Sequence, residues 1–318
     1  MNSNDESYFQ MPENSSRIYV MYDAPHMIKC IRNNWINLKN LNMNFHFPDF
    51  QIKGSDKFAS FKLIRDIYHC QKNQIIKTGY TFNFQSLYPK SIERQKAKPA
   101  LNIFNEKSSS AIRTFSTDGI FSSTADFSEL ITKFWNILNI STKSKYIHKN
   151  NIDLQPFYSE EDSRLEFLLK FAVWLEKWRN TAKYTEKLST ETFYSLIFTS
   201  RSIVSLIRYL LKNLKLSYIL TSKFQTDCLE ARIGLYRQAS GANYHISMKQ
   251  IIEAEKKIRT RNFIILNDKK VFFQKDLFKL ERENDFPLPH TENNVKQFNR
   301  QCKFMNLLSK IIDNIMYK

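Results

Sequence analysis

Acidic and basic side chains that could do chemistry together occur in one short stretch near the start of the chain, YDAPHMIKCIRNNW. Asp23 follows a β-branched and aromatic run, residues 17–22, and precedes Pro25. We therefore predict that it stands at the carboxyl end of a strand and the amino end of a helix. Catalytic carboxylates of open α/β sheets occupy such positions. Steps of three and four residues place the polar side chains that follow on one face of this helix: His26, Lys29, Arg32 and Asn33.

A second acidic pair, Asp227 and Glu230, lies in the stretch FQTDCLEARIGLYR. Its spacing is that of the N-cap and N3 residues of a capping box, whose only role is to bond backbone N–H groups. Asp23, two residues before a proline, is likewise typical of a helix N-cap. From the residues alone, the three acids are interpreted first as helix caps, and catalysis is the alternative.

Both stretches, and much of the sequence between them, resemble the transposases of the P element and their THAP-domain-containing cellular relatives. In that family the second catalytic aspartate opens a D-x-P-H-x-x-K-x-x-R-N-N run, which is filled here by Asp23, Pro25, His26, Lys29, Arg32, Asn33 and Asn34. The family's catalytic glutamate lies in L-T-x-x-x-x-Q-D-x-L-E-x-x-F-x-x-x-R, matched here by Leu220, Thr221, Asp227, Leu229, Glu230 and Arg237. Thr226 replaces the usual Gln, and Ile233 replaces the usual Phe. The resemblance covers most of residues 17–255.

The resemblance implies an RNase H-like domain in which three carboxylates hold two divalent ions, Mg²⁺ or Mn²⁺, for DNA strand cleavage and joining. By position, Asp23 would be the second acid and Glu230 the third, and Asp227 is the candidate replacement acid. The first acid has no counterpart, because only 22 residues precede Asp23 and Asp5 and Glu6 lie in a polar stretch. We therefore expect the chain to be inactive alone. The residues expected to face DNA are His26, Lys29, Arg32 and Arg237.

Composition agrees with a nucleic-acid partner. Forty-eight Lys and Arg against 31 Asp and Glu give a net charge of +17 and a pI near 9.6, which favours polyanions through counterion release. The alternative, for any single lysine run, is a basic surface that only solubilises the protein. Five scattered glycines disfavour a P-loop or a Rossmann dinucleotide motif, and four cysteines form no C-x-x-C pair of the zinc-finger kind.

The periodicity predicts a mixed α/β, helix-rich fold. The resemblance implies that a partial RNase H-like catalytic domain is interrupted in it by a mainly α-helical insertion. Strands are expected over 17–22 and within 45–52, and helices over 25–37 and 57–71. Helices separated by loops at 108–110 and 141–151 should follow, with the aromatic pairs Phe134–Trp135 and Trp174–Trp178 in their core. The expected segments are a disordered N-terminus (1–16), an RNase H-like segment with the second acid (17–77), the insertion (78–195), a second RNase H-like segment with the catalytic glutamate (196–255) and a basic extension (256–318).

In the resembled family the insertion binds guanine nucleotide, so the resemblance implies GTP as a cofactor and as a partner beside DNA. The most apolar stretch, residues 202–220, is interrupted by Arg208, Lys212 and Lys215, and we expect no membrane span. The basic run at 256–261 is a nuclear import signal, a phosphate contact or a solvated helix end. We expect a nuclear protein and leave open whether it forms a homo-oligomer. The alternatives to a transposase fragment are a non-catalytic domesticated protein that binds nucleotide or DNA on the same scaffold, and an incomplete gene.

Overall fold

The computed structural model describes residues 8–10, 17–37, 43–116, 118–181 and 186–272, with side chains up to residue 261 apart from those of Gln10 and Cys228. Most of the predicted basic extension lies outside the described residues, as do Asp5, Glu6 and most of the predicted disordered N-terminus. The chain divides into two compact units, one ending at Cys228 and the other beginning at Leu229.

Helices dominate the first unit. In chain order they are α1 (Ala24–Trp35), α2 (Phe61–Cys70), α3 (Phe84–Leu87), α4 (Ser91–Arg94), α5 (Ala97–Leu101), α6 (Glu106–Phe115), α7 (Gly119–Leu138), α8 (Lys145–Lys149), α9 (Ser163–Thr181) and α10 (Thr190–Lys212). Single turns of 3₁₀ helix cover Ile152–Leu154 and Thr221–Phe224. Helix α11 (Asp227–Ala239) begins at the end of this unit, and α12 (Met248–Phe272) follows in the second.

Two antiparallel hairpins make up the described strands. Strand β1 (Tyr8–Gln10) pairs with β2 (Arg17–Tyr19), and β3 (Asn44–Pro48) pairs with β4 (Asp56–Ser60). The helix-rich, mixed character of the fold is confirmed. Because the strands of the described residues form only these two small sheets, the RNase H-like sheet and the interruption of it by an insertion stay predictions.

A cluster of aromatic rings holds the first unit together. Trp35 of α1 stacks on Phe45 of β3 at 5.5 Å and meets Phe127 of α7 edge-on at 5.0 Å. Trp178 of α9 packs edge-on against Phe45 and donates its Nε1 hydrogen to the carbonyl of His46 at 2.6 Å. Each buried ring of this size contributes roughly 1.5–3 kcal/mol through burial alone. The β3–β4 hairpin and the helices after it therefore share one core.

The predicted core aromatics lie where expected. Phe134, Trp174 and Trp178 are buried, and Trp135 is partly buried against the same core. The predicted segments 17–77 and 78–195 both contribute to this core, which extends through most of the first unit. Their boundaries stay a prediction.

Several predicted elements begin or end elsewhere. The helix expected over 57–71 begins at Phe61, because residues 56–60 pair with β3. Strand β2 ends at Tyr19 rather than at residue 22, and its partner β1 falls in the stretch for which disorder was predicted. The expected loop at 141–151 contains the short helix α8.

The loop expected at 108–110 is wrong, since these three serines lie inside α6. Asn105 caps the helix by accepting the N–H of Ser108 at 3.0 Å. The hydroxyls of Ser109 and Ser110 donate to the carbonyls four residues earlier, at 3.2 and 2.9 Å. Serines that bond back to their own helix in this way are compatible with it, although they are more typical of turns.

Within the described part of the chain, none of the helices has the length and apolar content needed to cross a bilayer.

Candidate functional site

Asp23 is the N-cap of α1. Its backbone is extended, with φ −64° and ψ 126°, and its Oδ2 accepts the backbone N–H of His26 at 3.3 Å. Pro25 occupies the first turn, where no N–H is needed for the helix. The cap interpretation of Asp23 is thus confirmed, which leaves the role of its other oxygen to be explained.

The second oxygen of Asp23 is bonded to the residue that precedes α11. Oδ1 accepts both the backbone N–H of Thr226, at 3.2 Å, and its hydroxyl, at 3.0 Å. The chain before Thr226 is fixed independently, because Gln225 Nε2 donates to the carbonyl of Leu138 at 2.8 Å. Tyr22, on the other side, donates its N–H to Thr199 Oγ1 at 2.9 Å. The two stretches singled out in the sequence therefore meet within the first unit.

The other two candidate acids lie further along this segment. Asp227 is exposed and is the first residue of α11, rather than the residue before it as a capping box would require. Glu230 is also exposed and belongs to the second unit. An approach of Glu230 to Asp23 stays a prediction.

Within the described part of the first unit, the residues around Asp23 do not form a two-ion site. Among the described residues, there is no group of three or more His, Cys, Asp or Glu side chains that could hold a metal ion. Asp23 also has Oδ1 bonded to Thr226 and Oδ2 bonded to the α1 backbone. Two-metal chemistry needs several carboxylates around shared ions, whereas the partners of Asp23 here are backbone N–H groups and a hydroxyl. We call its two hydrogen bonds from Thr226 the latch, because they hold the segment before α11 against the start of α1.

The polar face predicted for α1 is wrong at Arg32. His26 is exposed and Lys29 is half-buried, but Arg32 is fully buried. Its Nη2 donates to the carbonyls of Arg94, at 2.9 Å, and Glu93, at 3.4 Å. Burial, together with the nearby positive charge of Arg94, lowers the pKa of the Arg32 guanidinium to about 10. Arg32 is therefore a structural residue that holds α4 against α1, and it does not face solvent or DNA.

The two asparagines after Arg32 have similar anchoring roles. Asn33 Nδ2 donates to the Arg94 carbonyl at 3.3 Å. Asn34 Nδ2 donates to Thr192 Oγ1 at 3.1 Å, and its Oδ1 accepts the N–H of Ser189 at 2.6 Å, at the start of α10. The R-N-N part of the stretch thus joins α1 to two distant segments. Sequence periodicity could not reveal this, because the partners are backbone groups and hydroxyls of segments that cover α1 only in the fold.

Arg237, the remaining residue expected to face DNA, is partly buried in the second unit. Its guanidinium carbon lies 4.9 Å from the ring centre of Tyr244, and its Nε is buried without a hydrogen bond to the described residues. A cation–π contact of this kind holds Arg237 in place. A DNA contact for it stays a prediction.

A charged cluster missed by the sequence analysis joins α11 to α12. Glu255 Oε2 accepts from Arg232 Nη2 at 2.5 Å and from the Tyr236 hydroxyl at 2.6 Å, and its Oε1 accepts from Arg259 at 2.7 Å. Burial alone would raise the pKa of the Glu255 carboxyl, but these hydrogen bonds and the charge of Arg232 outweigh it and lower this pKa to about 2. The four-residue spacing of Glu255 and Arg259 is the sequence signal that could have predicted an ion pair on α12.

One shallow cavity offers a test of the GTP expectation. It has a volume of about 330 Å³ and is lined by Thr78, Tyr80, Glu106, Lys107, Ser110, Ala111 and Thr114. Its lining contains one cation, Lys107, whose ammonium already lies 5.1 Å from the ring centre of Tyr80. A triphosphate needs several cationic or backbone N–H donors, so this cavity does not fit GTP.

No model of a protein family matches the chain. Over 269 residues, however, the chain is 25% identical to the Transposable element P transposase of Drosophila melanogaster, a match that covers 83% of the chain and 32% of that protein. Its fold is similar to that of a chain in the Drosophila P element transposase strand transfer complex, with a TM-score of 0.63 and 23% identity over 78% of this chain and 53% of that one. The chain therefore spans about a third of the length of the first protein and about half of the second. The resemblance predicted from the two motifs is confirmed.

Proposed function

We propose that this chain, a P-element-transposase-like protein in its sequence and fold, acts on DNA. The observation that carries the proposal is the match over about four-fifths of the chain. The DNA partner is suggested by the similarity to a chain of a transposase strand transfer complex. The net charge of +17 supports the same partner, because each phosphate neutralised by Lys or Arg releases counterions.

Strand cleavage and joining is the finer part of the proposal. It assigns Asp23 and Glu230 as catalytic acids, with Asp227 as a replacement, and Mg²⁺ or Mn²⁺ as the ions whose chemistry would polarise a phosphodiester. The latch between Asp23 and Thr226 supports a different role for Asp23, since both of its oxygens are bonded within the protein. We therefore place DNA binding ahead of catalysis.

The alternative is a non-catalytic protein on the same scaffold, and the latch is the observation that favours it. Asp23 would then hold the segment before α11 in place, and binding of DNA or nucleotide would be the whole activity. Nuclear location follows from a DNA partner under either proposal. GTP binding stays an expectation from the family, with no phosphate-binding residues to assign among the described ones. Direct titration with a fluorescent GTP analogue would test it.

The DNA proposal is tested by titrating a labelled duplex with the purified protein at several salt concentrations. We expect binding that is largely independent of sequence and that weakens steeply between about 50 and 200 mM salt. A matched pair of charge reversals sharpens the test: Lys29→Glu on the half-buried α1 position, and Lys149→Glu on the exposed end of α8. Arg32 is unsuitable for reversal, because it is buried.

If Lys29 contacts a phosphate, Lys29→Glu should weaken binding and reduce the slope of log affinity against log salt by about 1, whereas Lys149→Glu should change neither. Equal small losses for both variants would mean that the α1 face is not a DNA contact. No duplex binding even at low salt would overturn the DNA function itself.

A further inference from the structure

We propose that a stacked pair of rings, the exposed Phe84 and the partly buried Tyr88, binds an unpaired nucleobase of single-stranded DNA through the open face of Phe84. The two rings, named here the stacking platform, lie 5.2 Å apart between centroids with an interplanar angle of 27°. Phe84 is 58% exposed, although phenylalanine side chains are usually buried in the core of a protein. In proteins that bind single-stranded nucleic acid, the bases stack on aromatic side chains that are exposed to solvent.

The stacking platform is held rigidly from below. The guanidinium of Arg65 lies 4.2 Å from the ring centre of Tyr88, and its Nη2 donates to the carbonyl of Leu87 at 2.8 Å. His69 Nε2 bonds the Tyr88 hydroxyl at 2.8 Å. Asn83 caps the short helix α3 that carries Phe84 by accepting the N–H of Ser86 at 2.9 Å. Because these contacts fix Tyr88 and the helix that carries Phe84, and Phe84 stacks on Tyr88, little ordering entropy is lost when a base stacks on Phe84.

Charge complementarity selects a nucleic acid as the occupant. Residues 61–98 contain eight Lys and Arg against two Asp and Glu, a net charge of +6 out of +17 for the whole chain. Six of the eight are exposed lysines: Lys62, Lys72, Lys77, Lys90, Lys96 and Lys98. The centres of protein–protein interfaces are depleted in lysine. Exposed aromatic rings within a lysine-rich segment are instead the pattern of a strand-binding surface, in which rings take the bases and cations take the phosphates.

The stacking platform is also joined to the predicted site in the same unit. Arg32 and Asn33 of α1 bond the carbonyl of Arg94, at the end of α4 and a few residues beyond Tyr88. An unpaired strand on the platform would thus be held by a segment that is anchored to α1, the helix that Asp23 caps. This inference deepens the proposed DNA function and rests on it.

The experiment compares a labelled oligothymidylate of about 12 nucleotides with a duplex of the same length, titrated with the full chain. Phe84→Ala should weaken single-strand binding about 5- to 150-fold, the loss that corresponds to stacking of one base, while duplex binding changes little. Phe84→Trp should retain single-strand binding. The matched control is Phe115→Ala, because Phe115 is also exposed and stacked, on Phe121 at 5.8 Å, but lies on α6 outside the lysine-rich segment.

Phe84→Leu provides a second variant that keeps an apolar contact with Tyr88 and removes only the aromatic face; it should weaken single-strand binding as Phe84→Ala does. Equal affinities for Phe84→Ala and Phe115→Ala would overturn the proposal. A loss shared equally between single strand and duplex would also overturn it, because stacking on an unpaired base cannot explain it. Tighter binding of oligouridylate would overturn the assignment to DNA. If duplex binding persists and the Phe84 variants bind single strands as the wild type does, only this inference fails. If the protein binds no DNA at all, the proposed function fails as well.

Discussion

Asp23 Oδ1 accepts two hydrogen bonds from Thr226, a residue 203 positions further along the chain, through its backbone N–H and its hydroxyl. The same carboxylate caps α1 through Oδ2. One side chain therefore fixes the start of α1 and the residue before α11 at once. A hydrogen bond to a charged acceptor contributes more than a neutral one, and this one closes a very long loop of chain.

The first prediction is that the latch contributes measurably to the stability of the first unit. Asp23→Ala should lower the free energy of unfolding by about 1–3 kcal/mol, because it removes a cap and both bonds to Thr226. Thr226→Val removes only the hydroxyl bond and should cost about 0.5–1.5 kcal/mol. All four tryptophans lie in this unit, so urea unfolding followed by their fluorescence reports on it.

Asp118 is the matched control for the latch. It precedes α7 as an N-cap but makes no side-chain cap hydrogen bond, so Asp118→Ala should cost much less than Asp23→Ala. In the double variant of Asp23 and Thr226, the two losses should be less than additive by about 0.5–1.5 kcal/mol. Strict additivity would show that the bond is absent in solution.

The sequence predicted the meeting of the two stretches but not the chemistry of their contact. Resemblance to a family aligned Asp23 and the residues before Glu230 with motifs that act together, and the fold brings Asp23 to Thr226. Thr226 stands where the family has Gln, a replacement visible in the sequence. That its hydroxyl bonds Asp23 could not be predicted, because the bond depends on the path of residues 221–226 over α7.

The second prediction concerns Arg32. Arg32→Ala should lower the free energy of unfolding by about 2–4 kcal/mol, since it leaves a cavity and removes donors from the carbonyls of Glu93 and Arg94. Lys29→Ala, on the same helix but half-buried, should cost less than about 0.5 kcal/mol. Urea unfolding with tryptophan fluorescence measures both. A stable Arg32→Ala variant with weakened DNA binding would restore the exposed polar face that the sequence suggested.

Periodicity failed at Arg32 for a physical reason. Steps of three and four residues identify which side chains share a helix face, but they do not identify what covers that face. Here α5 packs on α1, and the neighbouring short helix α4 supplies two backbone carbonyls to the guanidinium of Arg32. The apolar periodicity correctly predicted the burial of Trp174 and Trp178, because these side chains are covered by other apolar side chains.

The third prediction is a pH dependence in the second unit. The pKa of Glu255 is lowered from 4.5 to about 2, so its contribution to stability is fully present above about pH 4.5 and is lost as the pH falls from there towards 2. Circular dichroism of thermal unfolding should therefore show that the wild type loses its advantage over Glu255→Gln across this range. The difference between the two proteins isolates Glu255 from the other acids. A constant difference from pH 6 to about pH 2 would contradict the cluster with Arg232 and Tyr236.

The last prediction addresses catalysis. We expect the purified chain not to nick supercoiled DNA with Mg²⁺ or Mn²⁺, because the described residues contain no group of three metal-binding side chains and Asp23 is bonded to Thr226 and to the α1 backbone. Conversion of supercoiled plasmid to open circles is the measurement, with Asp23→Ala, Asp118→Ala and Thr226→Val assayed in parallel.

Nicking by the wild type that Asp23→Ala abolishes and Asp118→Ala preserves would show that Asp23 is catalytic. Glu230→Gln and Asp227→Asn would then identify its partner, since only an acid that shares the ions with Asp23 should be needed for cleavage. If Thr226→Val cleaved faster than the wild type, the latch would be a restraint on a competent site.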